Sequence, residues 1–229
     1  MPIKIESHPS ASGIFTITNP NSSTPRVITL PDAATTLVGT DVTQTLTNKT
    51  LSGGTVTGAT ISGSTIQGGG LTLGTDVAST SGTFIDFTGV PSWAKRVTVM
   101  FNEVSTNGTS PIIVQLGDSG GVETTGYLSM VGARDPSGGV LGALTSTAGF
   151  VTQYIGAATS VFNGTLQLSN LTSNTWVGSG VGNNNTTTAY VYFYSGSKTL
   201  SATLDRVRIT MSNGTDTFDA GLINIMWEG

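Results

Sequence analysis

Apolar and polar positions alternate with a period of two at several places in the second half of the chain. Val97-Thr98-Val99-Met100-Phe101 is one such run. Leu166 and Leu168 alternate with Thr165, Gln167 and Ser169, and Val207, Ile209 and Met211 alternate with Arg206, Arg208 and Thr210. Tyr190-Val191-Tyr192-Phe193-Tyr194 sets three tyrosines on one face and Val191 and Phe193 on the other. A strand turns successive side chains to opposite faces, so a period of two predicts half-buried strands. Turns rich in Gly, Asn and Ser separate these runs, and no helical period of 3.6 emerges. The expectation for 76–229 is an all-β head, a β-sandwich of jelly-roll-like type, long enough to enclose a core. Leu222-Ile223-Asn224-Ile225-Met226-Trp227 is apolar on both faces. It predicts a central strand, a strand at a subunit interface, or one that completes the core of a single chain.

The pattern before residue 76 is different. Ile14–Thr18 and Arg26–Leu30 are two short β-type runs around Asn19-Pro20-Asn21-Ser22-Ser23-Thr24-Pro25, a segment dense in turn formers. They predict a hairpin within an N-terminal arm, 1–40. Two strands alone are marginally stable, so the hairpin needs a neighbour. Residues 41–75 carry a five-residue repeat of Thr, aliphatic, Ser/Thr, Gly/Asn and a small residue, with the aliphatics at Leu46, Leu51, Val56, Ile61 and Ile66. One aliphatic in five is too little to bury a core within one chain. Three parallel chains pointing those five residues at a shared axis would bury each against its copies, giving a trimeric β stalk. A single-chain solenoid and a flexible linker are the alternatives, the first needing more coils than the repeats supply.

Composition narrows the function classes. Charged residues make up 10% of the chain, and the formal net charge is −4. Clustered cations are confined to Lys95-Arg96 and Arg206/Arg208, so nucleic-acid binding is not expected. The chain has no cysteine, which excludes disulfides and thiolate metal sites. No apolar run is long enough to predict a membrane span, and Met1–Gly13 lacks the apolar core of a signal peptide. No cofactor and no metal are expected.

Two motifs bear on catalysis. Gly117-Asp118-Ser119-Gly120-Gly121 spells the nucleophile sequence of chymotrypsin-like proteases, but the single histidine is His8, far off in the arm. A serine nucleophile needs a histidine base, so the expectation here is a turn after a strand at Ile112–Leu116. Glycoside hydrolysis needs two carboxyls facing across a cleft. Asp86, Glu103, Asp118, Glu123, Asp135, Asp205, Asp216 and Asp219 show no spacing that pairs them. Binding chemistry is better represented. An exposed aromatic flanked by amides and carboxylates suits carbohydrate, which donates and accepts at once. Trp176 with Asn183, Asn184 and Asn185, and the turn at Arg134 and Asp135, are the candidate glycan-binding residues. The competing reading makes Trp176 a core residue and the Asn run an ordinary turn.

Several stretches resemble bacteriophage fibre proteins. Residues 45–63, TLTNKTLSGGTVTGATISG, look like fibre stalk repeats, and 13–39 resemble a module that precedes them. Residues 82–110 and the ending TFDAGLINIMWEG look like a head common in such fibres. The resemblance implies a homotrimeric structural fibre located on the virion. Its arm would meet other virion proteins, and its head a bacterial surface glycan or protein. It would be a non-enzymatic short tail fibre, with a capsid decoration fibre and a glycan depolymerase tailspike as alternatives.

Overall fold

The computed structural model describes residues 70–154, 156–185 and 189–229. The arm 1–40, its histidine, and the stalk positions Leu46, Leu51, Val56, Ile61 and Ile66 lie outside the described residues.

The described residues are all-β, with no helix, and form two antiparallel sheets. The larger has nine strands. Across it run β1 (Thr72–Leu73), β14 (Phe218–Glu228), β4 (Arg96–Thr106), β10 (Phe162–Thr172), β11 (Thr175–Asn184), β12 (Tyr190–Thr199), β7 (Tyr127–Arg134) and β8 (Val140–Ser146), with β2 (Val77–Ala78) also paired to β14. The smaller sheet holds β3 (Phe84–Thr88), β13 (Arg206–Met211), β5 (Ile112–Asp118) and β6 (Gly121–Val122), with β9 (Phe150–Val151) paired to β5. Thr72 and Leu73, assigned from sequence to the stalk segment, pair with Trp227 and Met226 of β14.

The period-two runs become strands with the expected faces. Val97, Val99 and Phe101 of β4, Leu166 and Leu168 of β10, and Val207, Ile209 and Met211 of β13 are all buried. Both sheets contribute to one buried cluster, in which Ile85, Leu116 and Ile209 from the small sheet join Val99, Leu166 and Tyr192 from the large one. Burying such side chains contributes roughly 1.5–3 kcal/mol each. Tyr192 and Tyr194 point into this core, while Val191 and Phe193 point outward. The last strand is not buried on both sides. β14 lies between β4 and the short strands β1 and β2, with Ile223 and Ile225 in the core, but Leu222 on its other face is 42% exposed.

The inward face of β11 is the least expected feature. It reads Trp176, Gly178, Gly180, Gly182, Asn184. Bare backbone there receives the aromatic rings of neighbouring strands. A Cβ at Gly178 would come within 2.9 Å of Phe150, one at Gly180 within 2.3 Å of Tyr194, and one at Gly182 within 2.5 Å of Phe162. The Tyr194 hydroxyl crosses β11 to donate to the Thr165 carbonyl on β10, at 3.0 Å. Glycine at these positions is thus a packing requirement, not a turn signal.

Candidate functional site

Strand register fixes two ends of the head. Thr72, the first residue of β1, pairs with Trp227 at the end of the large sheet that also carries Arg96 and, several strands across, Thr199; this is here termed the proximal end. At the opposite, distal end lie the β7–β8 turn (135–139), Asn185 and Ala189 at the two ends of the β11–β12 connection, and the β4–β5 loop (107–111).

Among the predicted site residues, Arg134, Asp135, Asn183 and Asn185 come together at the distal end. Arg134 pairs with Val191, Val191 with Asn183, and Asn183 with Asn163, so these four residues form one row across four strands. Neighbouring strands lie about 4.8 Å apart, which places Arg134 and Asn183 about 10 Å from each other. Arg134 and Asn183 are exposed on the outward face. Beyond Asn163 the row ends at Glu103, whose amide donates to the Asn163 Oδ1 at 2.8 Å. Glu103 is exposed at a bulge where β4 shifts register against β10 and holds φ at 52°, a left-handed conformation costly for a residue with a Cβ. Asn163 was not singled out from sequence, and Glu103 entered there only as one of the unpaired head carboxylates. Only the pairing of β10 with β11 and β4, a long-range fact, brings them beside Asn183.

The turn next to this row is rigidly built. The Asp135 amide donates to the Gly139 carbonyl and the Gly138 amide to the Asp135 carbonyl, each at 3.0 Å, and the Asp135 carboxylate accepts from the Ser137 hydroxyl at 2.6 Å and the Gly139 amide at 2.8 Å. Those two bonds hold the Asp135 carboxyl below the usual range, so it stays ionised. Arg134 Nη1 donates to the Gly138 carbonyl at 3.2 Å, which anchors one guanidinium nitrogen. Guanidinium, carboxylate and amide groups thus stand in one line at one rim.

Two predicted residues do not belong to this rim. Trp176 is 3% exposed, pairs with Lys198 at the proximal end and sits in the core. Seven residues of strand separate it from Asn183, about 24 Å. Its ring offers no free face for a sugar, because an inward position on a two-layer fold is a core position. Asn184 is also inward and buried. Its Oδ1 accepts from the Tyr190 amide at 2.7 Å, so it ties together the two ends of the β11–β12 connection. Asn185 is exposed, its amide donating to the Val161 carbonyl at 2.9 Å.

Gly117–Gly121 forms the β5–β6 turn at the proximal end, as its Asp-Ser-Gly-Gly composition predicts. Asp118 accepts from the Ser201 hydroxyl at 2.6 Å and the Gly120 amide at 2.7 Å, which lowers its pKa. Next to it Lys198, only 6% exposed, forms an ion pair with Glu123 and lies 5.3 Å from the Tyr127 ring centre. Burial pushes the Glu123 carboxyl up, but hydrogen bonds from Lys198 and Ser201 outweigh it and leave the pKa lowered. Other head carboxylates are similarly engaged: Asp86 with Arg208, Asp205 with Arg206, and Asp216 with Asn213 and Ser110. No group of three or more potential metal-ligating side chains occurs among the described residues. Comparison with family models, curated proteins and solved structures returned no match to this chain.

Proposed function

We propose that the chain is a structural fibre of a bacteriophage virion, trimeric through its repeats, whose head binds a bacterial surface glycan through the distal rim. The observation that carries the reading is the placement of the row Arg134–Val191–Asn183–Asn163. It lies on the end of the sheet opposite Thr72, the first paired residue after the repeat segment in the sequence. An adhesin attached at one end needs its recognition groups at the other. Arg134 donates, Asp135 accepts, and Asn183 and Asn163 do both, which matches the hydroxyls of a sugar. In a fibre held as a trimer, three such rims act together, and avidity compensates for a weak individual site. The arm 1–40 would join other virion proteins, most simply as a short tail fibre, and the head would be of jelly-roll type.

The test is binding of the intact protein to cells and to arrayed bacterial surface glycans. Arg134→Ala combined with Asn183→Ala should lower binding at least about tenfold, from loss of one or two hydrogen bonds to charged or amide groups. Trp176→Phe, a core change, should leave glycan affinity unaltered. Full binding by the Arg134/Asn183 variant would remove the distal rim as the site.

A further inference from the structure

The outward faces of the two sheets differ in chemistry. On the small sheet, β3 and β13 turn Asp86, half-buried Arg206 and Arg208, and Phe84 outward, with bidentate pairing of Arg208 to Asp86 at 2.7 and 2.6 Å and its guanidinium stacked over the Phe84 ring. That is how this chain builds a face for water. On the large sheet the outward positions of β7, β12 and β11 are Leu128, Met130, Gly132 and Arg134; Val191, Phe193, Ser195, Ser197 and Thr199; and Thr175, Val177, Ser179, Val181 and Asn183. Arg134 is the single charge, and it sits at the distal rim. Leu128 is 74% exposed, Phe193 51% and Val181 52%. Leu128 and Met130 also border an open hollow of about 320 Å³ together with Thr145 and Ser195. A face with one charge, at its rim, and with exposed Leu128, Phe193, Val181 and Met130 set among Ser and Thr marks an interaction surface.

We infer that this face is where the heads of three copies of the chain pack around a common axis, with β12 nearest the axis. The inference rests on the trimeric reading above and adds its interface. Width argues for copies of this chain. Packed sheets stand about 10 Å apart, so three sheet faces around a threefold axis each lie about 5 Å from it. A triangle with that inner radius has sides of about 17 Å, or three to four strands at about 4.8 Å spacing. The stripe of exposed apolar and Ser/Thr positions occupies β7, β12 and β11, and uncharged Thr165, Gln167 and Ser169 of β10 supply a fourth strand. Charge argues the same way: uncharged faces meet without repulsion at the axis, while Arg134 stays at the solvated rim.

Area sets how the interface works. Four rows of outward residues span about 27 Å along the strands, so each stripe offers about 460 Å² in projection. A stable interface buries about 800 Å² per partner. The heads therefore associate because the repeats hold three copies together, at an effective concentration in the millimolar range. In that arrangement the three distal rims lie side by side at the tip, which makes them one composite site.

The chain has no cysteine, so a single introduced thiol reports contact cleanly. Ser195→Cys lies on β12, and Thr88→Cys on the outward face of β3 serves as comparison. The full chain at about 10 μM is treated with a short bismaleimide, and its mass is measured by light scattering. Ser195→Cys should give roughly a hundredfold faster formation of covalent dimer than Thr88→Cys, the ratio of a millimolar effective concentration to that of the solution. Adding Phe193→Glu, which sets three like charges at the axis, should abolish the difference. A three-chain mass with equal cross-linking of Ser195→Cys and Thr88→Cys would overturn the interface, leave the fibre reading standing and free this face for another macromolecule. A one-chain mass would overturn both. Cross-linking that survives Phe193→Glu unchanged would also overturn it.

Discussion

Replacing Gly180 with alanine would put a methyl group where Tyr194 crosses β11. The new Cβ would lie 2.1 Å from the Thr165 carbonyl oxygen and 2.3 Å from the Tyr194 ring. Carbon contacts settle at about 3.5–4.0 Å, so something must move by more than about 1 Å. Thr165 belongs to β10, held by ladders to β4 and β11 on both sides, which leaves Tyr194 to give way. Its hydroxyl then leaves the Thr165 carbonyl. Overpacking costs about 1–3 kcal/mol, and stranding a buried hydroxyl adds about 1–3 kcal/mol. Alanine returns about 0.4–1 kcal/mol by restricting the unfolded chain. A net loss of about 3 kcal/mol corresponds to a Tm lowered by roughly 6–12 °C in a domain of this size. Thermal melting of Gly180→Ala should be compared with Ser179→Ala, which changes the outward face and should stay within about 0.5 kcal/mol of the parent. A Gly180→Ala Tm within 2 °C of the parent would refute the account of why β11 carries glycine on its inner face.

The partly buried ion pair and the buried tyrosines lead to two further tests. Glu123→Ala leaves Lys198, 6% exposed, without its carboxylate, and should cost about 1–3 kcal/mol in urea unfolding; adding Lys198→Met should restore most of it. Burial raises the phenols of Tyr127, Tyr192 and Tyr194, with Tyr192 pushed to about 12 from an ordinary 10.0. The neutral phenol is the form the fold favours, so this stability is fully present below pH 10 and is lost as pH rises from 10 through about 12. Unfolding free energy should be flat up to pH 9 and fall steeply above 10, and Tyr192→Phe should flatten that fall; an unchanged slope would refute the assignment.

Much of the architecture was legible because it is local. Alternation at Val97–Phe101, at 206–211 and at Tyr190–Tyr194 places the right side chains in the core, and Asp118–Gly121 makes the turn its composition demands. The errors are non-local. Gly178, Gly180 and Gly182 look like loop residues until the rings of Phe150, Tyr194 and Phe162, from three other strands, are seen to lie on them. For the same reason the sequence leaves Trp176 open between a binding residue and a core residue: its flanking Gly and Asn suit a loop, whereas β11 is a central strand whose inward positions begin with that tryptophan, which settles it in the core. Of the candidate site, the polar groups of the distal rim were legible and their grouping was not. The row from Arg134 to Asn163 is a product of register across four strands.

The position of β14 sets an order of events during synthesis. It pairs with β4 along one side and with β1 and β2 on the other, so it closes a gap between segments made long before it. Until residues 218–228 leave the ribosome, the nascent chain carries an open β4 edge flanked by Val97, Val99 and Phe101. Pairing across more than a hundred residues is slow to nucleate. The head therefore completes its sheet only after this strand has been translated, and every copy passes through an interval in which an unpaired edge must be kept from its neighbours.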